Sequence, residues 1–427
     1  MPVTASASAL AALWEEVRLQ GQPPPPLFRH PQVVTQLRRL GEVAGDFFQQ
    51  EVVGHSVEGR SLHHVWCGSG PRHVLLWSQM HGDEPTGTVV LFDLFEYLWR
   101  YREDARVERL LSSLTLHALP LLNPDGAERF QRRNAQGLDI NRDALALQTP
   151  EGRTLKALRD RLQPFLGFNL HNQEWRKAVG RTGRPASISL LAPPFDETRG
   201  DNPGRVLVKK VCAVIRDAVE ALAPGQVGRY DDSFEVRAFG DNMGRWGTPS
   251  VLIETGPYPA PEPDEPLLRL NFVALVSALE AVASGSVEQV DVERYESIPM
   301  NDSSGMLHVI IRGARVFGEA GEAFTADIGV AANQGVSTRS GSPRAIITGI
   351  IAELGDLRVF SPLEVVDGSG LTVVPLPSAE VREGDTVDLP PRSQCVLRVG
   401  QPVELMLLRP GAQDGRYQVE RILRYER

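Results

Sequence analysis

The chain has 427 residues, more than one ordinary hydrophobic core holds, so two domains are expected. Apolar residues at 42% and charged residues at 23% exclude a disordered chain. A net charge of -9 argues against a general partner of nucleic acid or of an anionic membrane, both of which call for a basic surface.

In chain order, "MPVTASASALAALWEEV" lacks a basic leader region and reads as a short helix rather than a signal peptide. "GQPPPPLFRHP" is a stiff proline-rich connector, and "PQVVTQLRRLGEVAGDFFQQ" has helical spacing. "HVLLWSQ", "LTLHALPLL", "FLGFNLHN" and "SVLIETG" read as buried strands. "GTVVLFDLFEYLWRYR", "RVLVKKVCAVIRDAVEALA" and "PLLRLNFVALVSALEAVA" read as helices between and after them. This alternation predicts an α/β domain over residues 1–288, a mostly parallel mixed sheet with helices on both faces. From 289 to 427 the chain becomes short β-branched runs split by Gly, Pro and Asp, among them "LHVIIRGARVF", "RAIITGIIAEL", "LTVVPL", "QCVLRV", "VELMLLR" and "YQVERILRY". They predict a smaller all-β domain. Three scattered cysteines, Cys67, Cys212 and Cys395, imply no disulfide framework and favour a reducing, cytoplasmic setting. No apolar run is read as approaching membrane-span length.

Ligand sites in parallel sheets form at the carboxyl ends of strands. His81 follows the strand "HVLLWSQ", with Glu84 three residues on; alone, H-x-x-E is weak, and a lone histidine there is most often a satisfied core or surface residue. "FNLHNQ" then puts His171 at the end of a second strand. Two neutral imidazoles and one carboxylate make a three-donor zinc set with an open position. "VLIETG" puts Glu254 at the end of a third strand, placed to take a proton from an attacking water. The loop "NPDGAERFQRRNAQGLDINRD" is dense in Arg and Asn, the residue types that hold a developing oxyanion and grip a carboxylate.

Taken together and in this order, "HGDE", "NPDG", "RNAQGLDINR", "LHN" and "IETG", preceded by "GHSVEGR", resemble the zinc carboxypeptidase family over about residues 54–283. The resemblance implies one zinc ion held by His81, Glu84 and His171, with Glu254 as general base. It implies Arg133 as the oxyanion arginine, with Arg132 the second choice, and Asn141 and Arg142 on the substrate carboxylate. Asp139 would orient His81. Asp83 reads as a solvated turn residue or a minor contributor to the rim. The chain departs from the family in "NRDA" after Asp139, in Asn169 before the third ligand, and in lacking a clear mobile tyrosine; Tyr230 is a loose candidate. Asp241 and Arg245 in "FGDNMGRWGTPS" are candidate specificity residues of opposite preference.

The implied activity is hydrolysis of a peptide bond next to a free carboxylate, with a peptide as substrate and no nucleic-acid or membrane partner. N-acyl amino acids are the alternative, as in the related deacylases similar to succinylglutamate desuccinylase and aspartoacylase. A non-turning metal- or peptide-binding protein is the alternative of another class. "RGARVFGEAGEAFTADIGV" and "AELGDLRVFSPLEVVDGSGLTVVPL" resemble the β half-domain of amidohydrolase-type enzymes; a generic sandwich or partial barrel fits equally. Docking, homo-oligomer formation and restricted access to the cleft are open roles for that domain. His63 and His64 alternate across a strand, and His117 reads as a hydrogen-bonded core residue.

Overall fold

The computed structural model describes residues 6–260, 263–339, 341–377, 380–413 and 415–425. The chain divides into two compact units, Met1–Gln173 with Ala186–Asn301, and Glu174–Pro185 with Asp302–Arg427. The first unit thus runs past the compositional change at 288. Its last helix carries Tyr295, which is buried and accepts a 3.0 Å hydrogen bond from the Ala192 N–H.

The first unit runs α1 (Ala7–Val17), α2 (His30–Ala44), β1 (Gln49–His55), β2 (Ser61–Cys67), β3 (Arg72–Ser78), α3 (Thr86–Arg100), α4 (Ala105–Ser113), β4 (Leu114–Leu119), α5 (Pro124–Arg129), α6 (Pro150–Leu162) and β5 (Leu166–Asn172). After the short β6 (Ala178–Val179) of the second unit come β7 (Ile188–Leu191), α7 (Pro203–Glu220), β8 (Val227–Arg229), α8 (Phe239–Arg245), β9 (Ser250–Thr255), α9 (Asp264–Ser284) and α10 (Glu293–Glu296). Helix starts follow local chemistry: Asn202 caps α7 by accepting from the Arg205 N–H, with Pro203 at the first helical position.

The sheet order is β1-β2-β4-β3-β5-β9-β7-β8. Strands β4, β3, β5 and β9 are parallel, while β1, β2 and β7 add antiparallel pairings. Strand alternation divides the core. Val74 and Leu76 of β3 enter the cluster shared with α1, α3, α7 and α9, and Leu75 and Trp77 enter the opposite cluster with Leu155, Leu158 and Phe239. Both faces are therefore covered, as the pattern predicts. Asp264–Ser284 has the length and apolarity of a membrane span, which corrects the expectation that no run approaches it. In the fold this helix is mostly buried against α7, α3, α1 and α4.

The second unit contains β11 (Met306–Phe317), β12 (Ala323–Ser337), β13 (Arg344–Gly355), β14 (Ser361–Asp367), β15 (Thr372–Pro375), β16 (Thr386–Asp388), β17 (Glu404–Pro410) and β18 (Arg416–Arg424), after β10 (Asn301–Asp302). Its sheet is ordered β13-β12-β11-β15-β17-β18-β16, with β14 also on β11. Val309, Ile311, Val330, Val373 and Leu405 fill its core. "QCVLRV" forms no strand: Arg392–Gln394 is a 3-10 turn and Val396 makes a single bridge. Pro390 and Pro391 just before it have no N–H for a ladder.

Candidate metal centre

The "HGDE" segment is a strand-to-helix turn. Beyond β3, Gln79 adopts a left-handed φ of 51° and turns the chain. Its side chain holds the turn, with Nε2 donating to Gly82 O at 2.9 Å and Oε1 accepting from Thr88 Oγ1 at 2.8 Å. The Glu84 N–H closes the turn on His81 O at 3.2 Å. Gly82 is obligatory here: a Cβ would stand 2.1 Å from the carbonyl carbon of Gly126, the glycine of "NPDG". Asn123 of the same motif caps α5 and donates Nδ2 to Met80 O and Arg132 O, both at 3.3 Å. It thereby staples the "HGDE" turn to the arginine-rich loop. Buried Asp125 accepts from Ser56 Oγ at 2.7 Å, the Glu58 N–H at 3.0 Å and Arg60 Nη1 at 2.6 Å. "GHSVEGR" and "NPDG" are thus two halves of one hydrogen-bonded support.

On this support His81, Glu84 and His171 converge, all buried, with one donor atom from each within 4.8 Å of the others. The Glu84 carboxylate lies between the two imidazoles, Oε1 at 2.8 Å from His81 Nδ1 and Oε2 at 2.6 Å from His171 Nδ1. The Asn172 N–H also donates to Glu84 Oε2, at 3.2 Å. His81 Nε2 lies 3.1 Å from Asp139 Oδ1, which directs Nδ1 toward Glu84 and His171. Burial would lower the His81 imidazole, but the charge of Glu84 and the Asp139 hydrogen bond outweigh it and raise its pKa to about 9. Burial would raise Glu84, but the two imidazoles hold its carboxylate well below the ordinary range. Two imidazoles and an ionised carboxylate converging in one buried space are a donor set that suits a divalent cation. The donor set and spacing fit one zinc ion, which His81, Glu84 and His171 would hold.

Asp139 also caps the 3-10 turn Ile140–Arg142, its Oδ1 accepting from the Asn141 N–H at 2.9 Å. Its Oδ2 accepts from Arg132 Nε at 3.0 Å. Arg132 Nη1 in turn stands 3.4 Å from Glu84 Oε1 and 3.1 Å from His81 Nδ1. Of the two neighbouring arginines it is therefore Arg132, the second choice, that reaches the donor set. Arg133 turns outward, donating to Gly137 O at 3.0 Å on the exposed side of the loop. Asp83 is half-buried at the edge of this group, with Oδ1 unpartnered and its pKa raised by burial and by Glu84.

Asn141 is buried and accepts from the Phe239 N–H at 2.9 Å, which ties its loop to the start of α8. Arg142 lies 3.4 Å from Glu235 and donates to Asn141 O at 2.7 Å. Nothing in the sequence singles out Glu235 beyond "EVR" before "AFGDN", which puts an acid close to the loop that Asn141 anchors. The departure "NRDA" has a structural reason: buried Asp143 accepts from the Gln148 N–H and from the Thr149 N–H and hydroxyl, capping the approach to α6. Asp241 is buried, accepts from the Glu235 N–H at 3.1 Å and is pushed up by burial to about 6. Arg245 ends α8. Tyr230 follows β8, with its N–H on Leu190 O. Glu254 lies on β9 opposite His171 of β5 and opposite Ser189 of β7, so the three share one rung of the sheet.

The family model described as zinc carboxypeptidase matches residues 33–176. Mouse carboxypeptidase M is 33% identical over 108 residues, 21% of this chain and 24% of the relative. The probable carboxypeptidase 2 of Trichophyton verrucosum is 29% identical over 166 residues, 36% of this chain and 31% of that one. The chain thus spans less than a third of the length of these relatives. A metallo-carboxypeptidase structure from Burkholderia cenocepacia aligns over 60% of this chain and 69% of its own, at 18% identity and a TM-score of 0.48. Over residues 33–176 the chain is thus similar to the zinc carboxypeptidase family.

Proposed function

We propose that this chain is a zinc-dependent hydrolase that releases the terminal residue of a peptide ending in a free carboxylate. The observation that carries the reading is the convergence of His81, Glu84 and His171 at the carboxyl ends of parallel strands, with Asp139 hydrogen-bonded to His81 and Arg132 to Asp139. In this reading the two imidazole Nδ1 atoms and the Glu84 carboxylate hold the zinc ion. When bound, zinc supplies Lewis acidity, polarising the scissile carbonyl and making water a competent nucleophile near neutral pH.

The remaining steps belong to side chains. Glu254, on the rung beside His171, accepts the proton of the attacking water and delivers it to the leaving amine. Arg132, held by Asp139, donates to the carbonyl oxygen as negative charge develops there. Asn141 and Arg142 bind the terminal carboxylate, and the guanidinium fork suits its two oxygens. Asp139 fixes the ring of His81.

The test is a panel of short peptides with free carboxyl ends, the same peptides as C-terminal amides, and N-acyl amino acids, each with and without a chelator. The reading expects chelator-sensitive cleavage of the free peptides and little of the amides. Preferential cleavage of N-acyl amino acids would move the chain to the deacylases. Bound zinc without turnover of any of them would leave a binding protein.

A further inference from the structure

The chain leaves its first unit after Gln173, re-enters at Ala186 and leaves again after Asn301. These three points are joined by one hydrogen-bonded knot, all of it within the first unit. Gln173 Nε2 donates to Ala186 O at 2.7 Å and to Ser189 Oγ at 2.8 Å. Gln173 Oε1 accepts from Asn301 Nδ2 at 3.1 Å. Ser189 Oγ accepts from Asn301 Nδ2 at 2.9 Å and donates to Asn301 Oδ1 at 3.1 Å. The hydroxyl thus uses its proton and both lone pairs. Two glycines leave the room this needs: a Cβ at Gly256 would stand 2.4 Å from Gln173 Nε2, and one at Gly228 would stand 2.0 Å from Asn301 Oδ1.

The place of the knot gives it meaning. Ser189 is the register partner of Glu254, and Glu254 is the register partner of His171. Gln173 is two residues beyond His171, and its N–H is bonded to Thr255 O at 2.8 Å, one residue beyond Glu254. The polar groups of Ser189 and Gln173 are buried, and an apolar cluster of the same volume would bind these strand ends without their desolvation cost. A fully satisfied polar network instead allows one arrangement only.

We infer that Gln173, Ser189 and Asn301 are positioning residues that lock the carboxyl ends of β5 and β9 against the amino end of β7, so that His171 and Glu254 keep a fixed separation. The inference deepens the proposed hydrolase reading and, for its kinetic part, rests on it.

The experiment uses the full-length chain, as Ser189→Ala, Asn301→Ala and the double variant, with zinc or with cobalt substituted for it. On the free peptide cleaved best by the parent, each single variant is expected to lower kcat about tenfold, less than the ~10²-fold cost of a 1 Å misplacement. KM should change little, and the double variant should be hardly worse than either single one. The visible absorption of the cobalt-loaded variants should differ from that of the parent. A fall in thermal stability with kcat, KM and the cobalt spectrum all unchanged would reduce the knot to a structural tie and overturn the inference. If the parent cleaves no peptide but the cobalt spectrum shifts in the variants, the hydrolase reading fails and the positioning role stands. If Ser189→Ala does not fold, Asn301→Ala, at the less buried end of the knot, carries the same readouts.

Discussion

His171 and Glu254 are direct partners in the parallel register of β5 and β9, so both side chains leave the sheet on the same face. One belongs to the donor set and the other does not, and replacing each should separate binding from turnover. Glu254→Gln keeps size and polarity but cannot accept a proton. We expect it to retain one zinc per chain by metal analysis and to lower kcat by roughly 10²–10⁴-fold. His171→Ala should instead lose zinc on dialysis. A Glu254→Gln protein with the parent's turnover removes the carboxylate from the reaction.

Arg132 and Arg133 are sequence neighbours with opposite surroundings. The first bridges Asp139 and Glu84, and the second caps Gly137 O at the surface. Arg132→Ala is expected to lower kcat by about 10²–10³-fold, the usual loss of one oxyanion donor. Arg133→Ala should stay within about twofold of the parent, as exposed contacts contribute little. Kinetics of the two variants side by side decide the assignment, and the reverse ranking would restore Arg133.

Arg142 is engaged by Glu235 at 3.4 Å, so a substrate carboxylate has to compete with that side chain for the guanidinium. Hydrogen bonding to Arg237, then the charges of Arg142 and Arg237, keeps the Glu235 carboxyl below its ordinary range and therefore ionised at neutral pH. Glu235→Gln should lower KM for peptides with a free carboxyl end by about two- to tenfold at nearly constant kcat, because binding gained equally in ground and transition states acts on KM. Amidated peptides should show no such gain. An unchanged KM would mean that the pair opens without cost or that Arg142 does not meet the substrate.

Much of the first unit was legible because its signals are local. Val74–Trp77 and Phe168–Leu170 are continuous apolar runs, as strands buried on both faces must be, and Leu10, Trp14 and Val17 keep helical spacing in α1. His81, Glu84 and His171 were legible because residue type and strand-end position coincide. Arg132 and Arg133 are the same residue type side by side, and only the turn held by Asn123 and Asp139 decides which one faces the donors. Strand β7 and helix α6 escaped notice because "ISLL" is short and the buried face of "PEGRTLKALRDRL" rests largely on two leucines. The knot of Gln173, Ser189 and Asn301 joins residues up to 128 positions apart, and no periodicity marks such a meeting.

Asp93 carries a prediction for stability that is independent of the metal centre. It lies buried in α3, its Oδ2 accepting from Trp14 Nε1 at 2.8 Å and its Oδ1 from the Leu19 N–H at 2.9 Å, so it ties α1 and the chain after it to the core. Burial outweighs these two donors and raises its pKa to about 7 from an ordinary 3.8. With the folded value above the unfolded one, its contribution is fully present below about pH 4. It is lost progressively as pH rises toward about 7, because only the unfolded chain then gives up the proton. Above that pH both states are ionised and the loss is constant, a few kcal/mol for a shift of this size. Asparagine at this position cannot titrate. The urea midpoint of the parent, measured against Asp93→Asn, should therefore fall between about pH 4 and 7 and level off from about pH 7.5 to 9. A difference that stays flat across the whole range would show Asp93 ionised in the fold, with the Trp14 and Leu19 donors outweighing its burial.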